Sequence, residues 1–395
     1  MDGTHSDGSM LVGVQSVNVS LPSSTGVKLA GTIDFPSARP KAFAVFAHCF
    51  AGSRHTPGAS RTSKRLTEYG IATLRFDFPG LGQSGGEYRD TTFSQNADDI
   101  IAAVEWLSSN YETPQLIMGH SLGGAATLKA ASRLKQIKAV ATIGAPFDPA
   151  HSVLHYKDKI SEADANGEVT VNLGGRDLII SRAFLEDLAE TNPEVYLRRI
   201  HKPLLLVHSP LDQTVGIDNA QTIFQLTRYS KSLVCLDKAD HLLTREGAAR
   251  QAADIIGNWV QKYLEPSWRP EKLDDSEVVS HSARGLKYGN TVRTRFGEVA
   301  TDRPRFAGGK GQGHSSLDLL QAAIAAASSE AARNAAKGMK LDDVRVSVAR
   351  ANDGTFRRHI SLEGSLSDAE ARTLLEAAHS SEIDRLFTTA TIVDV

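Results

Sequence analysis

The stretch Gln115-Leu-Ile-Met-Gly-His-Ser-Leu-Gly-Gly-Ala-Ala-Thr-Leu128 decides the fold. An apolar run of strand length meets Gly119-His120-Ser121-Leu122-Gly123, a G-x-S-x-G pentapeptide, and a helix-like segment follows over Leu122–Leu134. A serine at a strand-to-helix junction needs a strained backbone, and glycine on either side lets the neighbouring chains pass close to it. Such a turn lifts the hydroxyl out of the sheet. It also aims the helix N-terminus at any negative charge that develops there, as acyl transfer requires. The plain alternative is a chance pentapeptide in a glycine-rich chain, and the flanking strand and helix argue against it.

A lone serine is a weak nucleophile, so a base and an orienting acid should follow it in the chain. His241 lies in Lys238-Ala-Asp-His-Leu-Leu243 after the predicted strand Ser232–Leu236, and Asp212 lies in His208-Ser-Pro-Leu-Asp-Gln-Thr-Val215 after Pro203–His208. Both are strand-end loop positions on the edge where Ser121 would emerge. Asp237 and Asp240 are rival acids, but so close to the histidine in sequence they read as exposed or bonded to local backbone. An oxyanion needs two N–H donors. Leu122 supplies one, and Phe50, in the loop His48–Arg54, supplies the other. Cys49 in that loop reads as a small packed residue rather than a reactive thiol. Phe50, Phe147, Val215 and Leu242 are the predicted substrate-pocket walls.

Strand candidates at Val14–Leu21, Val27–Phe35, Ala42–His48, Ile71–Phe76, Gln115–Gly119 and Lys138–Gly144 alternate with amphipathic stretches such as Phe93–Ser108 and Glu246–Tyr263. This alternation predicts a mostly parallel sheet with helices on both faces. Residues 147–200 interrupt it with a hairpin candidate (Glu168–Leu173, Arg176–Ile180) and a helix over Ala183–Glu190, a small cap-like insertion over the sheet's end. Gly80, Gly82 and Gly85 spell G-x-G-x-x-G, with Asp98 and Asp99 downstream. They follow an inner strand and no helix opens within them, so a structural turn is expected rather than a dinucleotide site. The proline-bearing, charged EPSWRPEKLDDS segment, Glu265–Ser276, breaks the pattern, and residues 266–276 read as a linker. A second, α+β domain is predicted over 277–395, with strands at Val278–Ala283, Tyr288–Phe296, Val344–Ala349 and Arg358–Glu363. It also holds a glycine-rich loop (Ala307–Gly313) and helices over Ser316–Lys337 and Ser367–His379.

Composition narrows the classes. The 395 residues are 41% hydrophobic, which excludes disorder throughout, and the net charge of −2 gives no field for gathering nucleic acid. Two cysteines, Cys49 and Cys235, make neither a disulfide framework nor a cysteine-based zinc site. Among the 13 histidines, His48, His120 and His208 flank the expected site and read as hydrogen-bonded structural groups. His151 and His155 lack an evident third ligand, so no metal and no cofactor are expected. No signal-like N-terminal segment (residues 1–24 read as an extension and the start of the first strand pair) and no membrane-length apolar run is seen, so a reduced cytoplasmic setting is expected.

The motifs HCFAGS, RFDFPGLGQSGGEY, TTFSQN, GHSLGGAATL, IGAPFDPAH and the HSPLDQTV…KADHLL pair resemble an α/β-hydrolase over residues 25–265. The run as a whole resembles the subgroup fused to a C-terminal OsmC-like domain. The resemblance implies a Ser-His-Asp esterase acting on short-chain or aryl esters, feruloyl-type included. Acyl transfer, perhydrolysis and thioester cleavage are alternatives on the same triad, and a non-catalytic binding protein is disfavoured because all three triad members are present in order. OsmC-type peroxidases have two redox cysteines; Ala327 and Ser381 stand at those positions here, so thiol peroxidase chemistry should be absent. OsmC proteins are intertwined dimers, so the resemblance implies a homodimer formed through residues 277–395.

Overall fold

The structure is a computed structural model that describes residues 14–36, 39–150, 167–173, 176–266, 273–274, 277–283 and 287–389. The chain divides into two compact units, the first running to Val279 and including Thr294–Phe296, the second comprising Ser280–Ser282, Leu286–Arg293 and everything from Gly297 on.

The first unit is built on strands β1 (Gln15–Pro22), β2 (Lys28–Phe35), β3 (Ala42–Ala47), β4 (Ile71–Phe76), β5 (Leu116–His120) and β6 (Ala139–Ile143). A hairpin, β7 (Glu168–Leu173) and β8 (Arg176–Ser181), stands apart from the main sheet, and β9 (Leu204–His208) and β10 (Lys231–Cys235) complete it. The eight-stranded order is β1-β2-β4-β3-β5-β6-β9-β10, with β2 antiparallel to both neighbours and the other pairs parallel. Strands β3 to β6 and β9 are buried along their whole length, as a parallel sheet covered on both faces demands.

The helices are α1 (Pro57–Leu66), α2 (Phe93–Asn110), α3 (Leu122–Ala131), α4 (Arg182–Glu190), α5 (Pro193–Leu197), α6 (Asp218–Leu226) and α7 (Ala248–Val260). They divide between the faces by the two-residue period of the strands. Phe43, Val45 and Ala47 of β3 join Ile100, Val104 and Leu128 in one core cluster, and Ala44 and Phe46 join Leu66, Ala252 and Ile256 in the other. Between β6 and β9 the described residues form the β7–β8 hairpin with α4 and α5; residues 151–166, with His151 and His155, lie outside the described ones, as does most of the linker.

The second unit holds β11 (Val279–Ser282), β12 (Asn290–Thr294) and β13 (Gly297–Thr301) in one sheet, and β14 (Leu341–Arg350) paired antiparallel with β15 (Phe356–Gly364). Its helices are α8 (Ser316–Ala335), α9 (Asp368–His379) and α10 (Glu382–Thr389). Ser315 and Ser367 close capping boxes with Asp318 and Glu370. The described core is small: Ala332, Val344 and Ala378, with Leu341, Val346, Ile360 and Leu362 packed on it. The predicted strand Tyr288–Phe296 is shorter than expected, because the chain turns at Arg295-Phe296 and returns as β13, which the sequence reading did not contain. No helix among the described residues is long and apolar enough to cross a membrane.

Candidate active site

Ser121 sits between β5 and α3 with φ 55° and ψ −127°, a conformation that L-residues avoid and that persists only where the surroundings enforce it. The enforcement is visible at Gly123, where a Cβ would lie 2.1 Å from the His48 carbonyl oxygen, so α3 can lie against the β3 loop only with glycine there. The hydroxyl reaches His241 Nε2 at 2.8 Å, and His241 Nδ1–H donates to Asp212 Oδ2 at 2.7 Å. The structure thus brings Ser121, His241 and Asp212 into one hydrogen-bonded chain.

Asp212 is held by its other oxygen. Oδ1 accepts from the Thr214 and Val215 N–H groups, both at 2.9 Å, leaving Oδ2 for the imidazole. Burial pushes this carboxyl up, but the hydrogen bond and charge of His241 and the two backbone donors outweigh it and hold it below the ordinary carboxylate range. It is therefore ionised at neutral pH, as an orienting acid must be. His208, whose ring donates to the Val215 carbonyl at 2.8 Å, braces the same loop and is held neutral by burial.

Of the rival acids, Asp237 is exposed, and Asp240 is occupied within its own loop. Its carboxylate accepts from the Arg245 N–H at 2.9 Å and from the Thr244 N–H and hydroxyl at 3.1 and 2.8 Å. Burial raises it, but these donors win and hold it at about 2. A carboxyl depressed in the folded state stabilises above its unfolded value of about 3.9, and that contribution fades as pH falls toward the folded value. Asp240→Asn should therefore lower the thermal midpoint at neutral pH, and the gap to the parent should narrow below about pH 4. A gap unchanged down to the acid limit would contradict this.

Leu122 opens α3, so its N–H has no intrahelical acceptor, and no hydrogen bond engages the Phe50 N–H among the described residues. The Phe50 ring packs at 5.6 Å on Tyr88 and at 6.1 Å on Phe184 of α4. Val215 is buried and Leu242 half-exposed beside His241, while Phe147, partly buried, donates its N–H to Asn219 at 3.0 Å. Cys49 is buried, and burial pushes its thiol up to about 11, which keeps it protonated. Among the described residues no group of three or more His, Cys, Asp or Glu side chains is arranged to hold a metal.

Sequence reasoning missed what anchors the Phe50 loop. Arg54 and Asp77 form an ion pair with both side chains out of solvent. Asp77 further accepts from the Arg54 N–H at 2.5 Å and the Gln83 N–H at 2.9 Å. Gly82, with φ 57°, leaves room for that carboxylate: a Cβ there would lie 2.2 Å from Oδ2. Gly80 and Gly82 thus serve a turn wrapped around Asp77, the structural reading of the G-x-G-x-x-G run. Beside it Arg75 donates to Asp34 at 2.7 and 3.2 Å, and His48 accepts from the Phe78 N–H at 3.3 Å. The one available signal was Arg75, a charge inside the apolar β4.

In the second unit Ala327 lies on α8, and Ser381 precedes α10 with its hydroxyl on Asp384 at 2.7 Å. Arg358 joins that carboxylate at 2.9 Å and also donates to Ser328 at 2.6 Å.

An eight-stranded, mostly parallel sheet with a serine, acid and histidine at its strand ends defines a class, and comparison with known proteins agrees. Residues 38–173 match the Hydrolase_4 family (serine aminopeptidase, S33). The esterase domain of a Rhodothermus marinus protein is 43% identical over 63% of this chain and 99% of that one, with a TM-score of 0.52. Est1E from Butyrivibrio proteoclasticus, solved with ferulic acid bound, is 20% identical over 62% and 98%, with a TM-score of 0.50, a likeness of fold alone. Human mitochondrial palmitoyl-protein thioesterase ABHD10 is 36% identical over 75 residues, 19% of this chain and 23% of that protein. The chain spans about a third or less of the length of the curated relatives it matches. It belongs to the α/β-hydrolase family and is a serine ester hydrolase.

Proposed function

We propose that the chain is a serine carboxylesterase working through an acyl-enzyme on short-chain or aryl carboxylic esters. The observation that carries this reading is the Ser121–His241–Asp212 chain, 2.8 and 2.7 Å between members, on a serine held at positive φ. Ser121 Oγ attacks the ester carbonyl carbon while His241 Nε2 takes its proton, and Asp212 holds the resulting imidazolium. The Leu122 and Phe50 N–H groups receive the oxyanion. The tetrahedral intermediate expels the alcohol, which takes the proton back from His241, and water repeats the sequence to release the acid.

The aromatic cluster of Phe50, Tyr88 and Phe184 favours a flat or short acyl group near the oxyanion loop. Thioester cleavage is the second reading, favoured by the stretch shared with the ABHD10 thioesterase. A panel of p-nitrophenyl esters from acetyl to decanoyl, with methyl ferulate and an acyl thioester, separates them. The highest kcat/KM is expected on a short or aryl oxygen ester; a preference for long chains, or for the thioester, would overturn this choice of substrate.

We read the second unit as an OsmC-like module that has lost its thiols and serves assembly, in a reducing cytoplasmic setting. Its 20-residue α8 buries only Ile324, Ser328 and Ala332, leaving most of the helix for a partner. Light scattering of the full chain should give the mass of a homodimer, and a fragment ending at residue 265 should not dimerise. A monomeric full chain, or a fragment that dimerises as well, would contradict this.

A further inference from the structure

His241 has far to come. Its loop leaves β10 at the sheet edge, and in the order β5-β6-β9-β10 the nucleophile's strand lies three places away, about 14 Å at ordinary strand spacing. The loop is also strained, with Lys238 at φ 58° and Leu243 at φ 55°. Most of its anchors are near its own end of the sheet: Leu236 N–H on the His208 carbonyl at 2.9 Å, Ser209 on the Ala239 carbonyl at 2.7 Å, and the Asp240 carboxylate within the loop. The exception is His120. As the last residue of β5, directly before Ser121, it reaches across and meets the main-chain carbonyl of His241 itself at 2.7 Å.

We infer that His120 is a positioning residue, tying the backbone of the general base to the strand that carries the nucleophile, so that the Ser121–His241 distance is set by one short connection. A carbonyl only accepts, so His120 Nε2 carries the proton and donates. His120 Nδ1 is then a buried acceptor without a protein partner among the described residues, facing Gly58 of α1, where a Cβ would lie 3.3 Å away. A position wanted only for packing has no use for an imidazole with one nitrogen buried and unengaged. A donor at the Nε2 position is what the histidine supplies. The rings of His120 and His241 lie 5.4 Å apart, so a charge on His120 would oppose the imidazolium formed in catalysis. Burial first, then the approach of His241, hold His120 down at about 4, and it stays neutral beside the working base.

This inference rests on the serine esterase reading, and the test separates the two. His120→Gln keeps an N–H donor at nearly the reach of Nε2. His120→Asn keeps the donor but falls one methylene short, and His120→Phe keeps a ring without a donor. With p-nitrophenyl acetate, the Gln variant is expected within about threefold of the parent in kcat. The Asn and Phe variants should lose about 30-fold or more in kcat with KM within about twofold, because a sub-ångström to 1 Å displacement of the base is felt in the chemical step. The rate of Ser121 modification by a fluorophosphonate, which also needs the base, should fall in parallel. Should His120→Phe not fold, the Gln and Asn pair decides alone. Equal kcat in Gln and Asn variants, whether both high or both low, would overturn the inference while leaving the triad intact. A parent protein that the fluorophosphonate does not modify would instead overturn the esterase reading.

Discussion

Ser121→Ala and His241→Ala are each expected to lose about 10⁴-fold or more in kcat on any ester the parent turns over, with the fold retained. Among the described residues Ser121 is the only hydroxyl on His241 Nε2, and His241 is the only base hydrogen-bonded to the Ser121 hydroxyl. Asp212→Asn should fall by about 10⁴ as well, by a different route. An asparagine offers an N–H where Oδ2 now accepts, which turns the imidazole to the tautomer that carries its proton toward the serine. The Thr214 and Val215 N–H groups can still be met by the amide oxygen, so the loop should survive. Asp237→Asn and Asp240→Asn should leave kcat within a few fold, since neither carboxylate meets His241. Near-normal activity in Asp212→Asn, with loss in either of the others, would assign the acid wrongly.

The second large effect concerns stability. Arg54→Met should cost about 3–5 kcal/mol in urea unfolding, because it leaves the Asp77 carboxylate charged and fully buried without its cation. Asp77→Leu should be at least as damaging, since it also strands the Arg54 and Gln83 N–H groups. The double variant should recover part of the loss but not all, because the charges vanish together while those two donors stay unpaired. Simple additivity of the two single effects would contradict this coupling. The Phe50 loop spans His48 to Arg54, so kcat should fall in the folded Arg54→Met protein too.

The site was legible where the chemistry is local. The G-x-S-x-G turn, its strand and its helix are contiguous, and Asp212 and His241 each follow an apolar strand, so order and strand-end position sufficed to nominate the three. The sheet was legible because its buried strands are continuous apolar runs. Helix α1 was not: its buried face is Gly58, Ala59, Thr62, Ser63 and Leu66, too small and polar to make an apolar stripe. β13 was missed because bulky Arg295 and Phe296 occupy the centre of the turn before it, and its one marker, Gly297, comes only at the turn's end. The Arg54–Asp77 and Arg75–Asp34 pairs were illegible for a further reason: their members lie 23 and 41 residues apart, and a charge in a single sequence reads as surface until its partner is known.

Ser121 as a nucleophile activated by His241 can be read out by treating the full chain with a fluorophosphonate and mapping the adduct by peptide mass spectrometry. One adduct is expected, on Ser121, absent in Ser121→Ala and strongly slowed in His241→Ala. An unmodified protein, an adduct on another serine, or equal labelling of His241→Ala would contradict it.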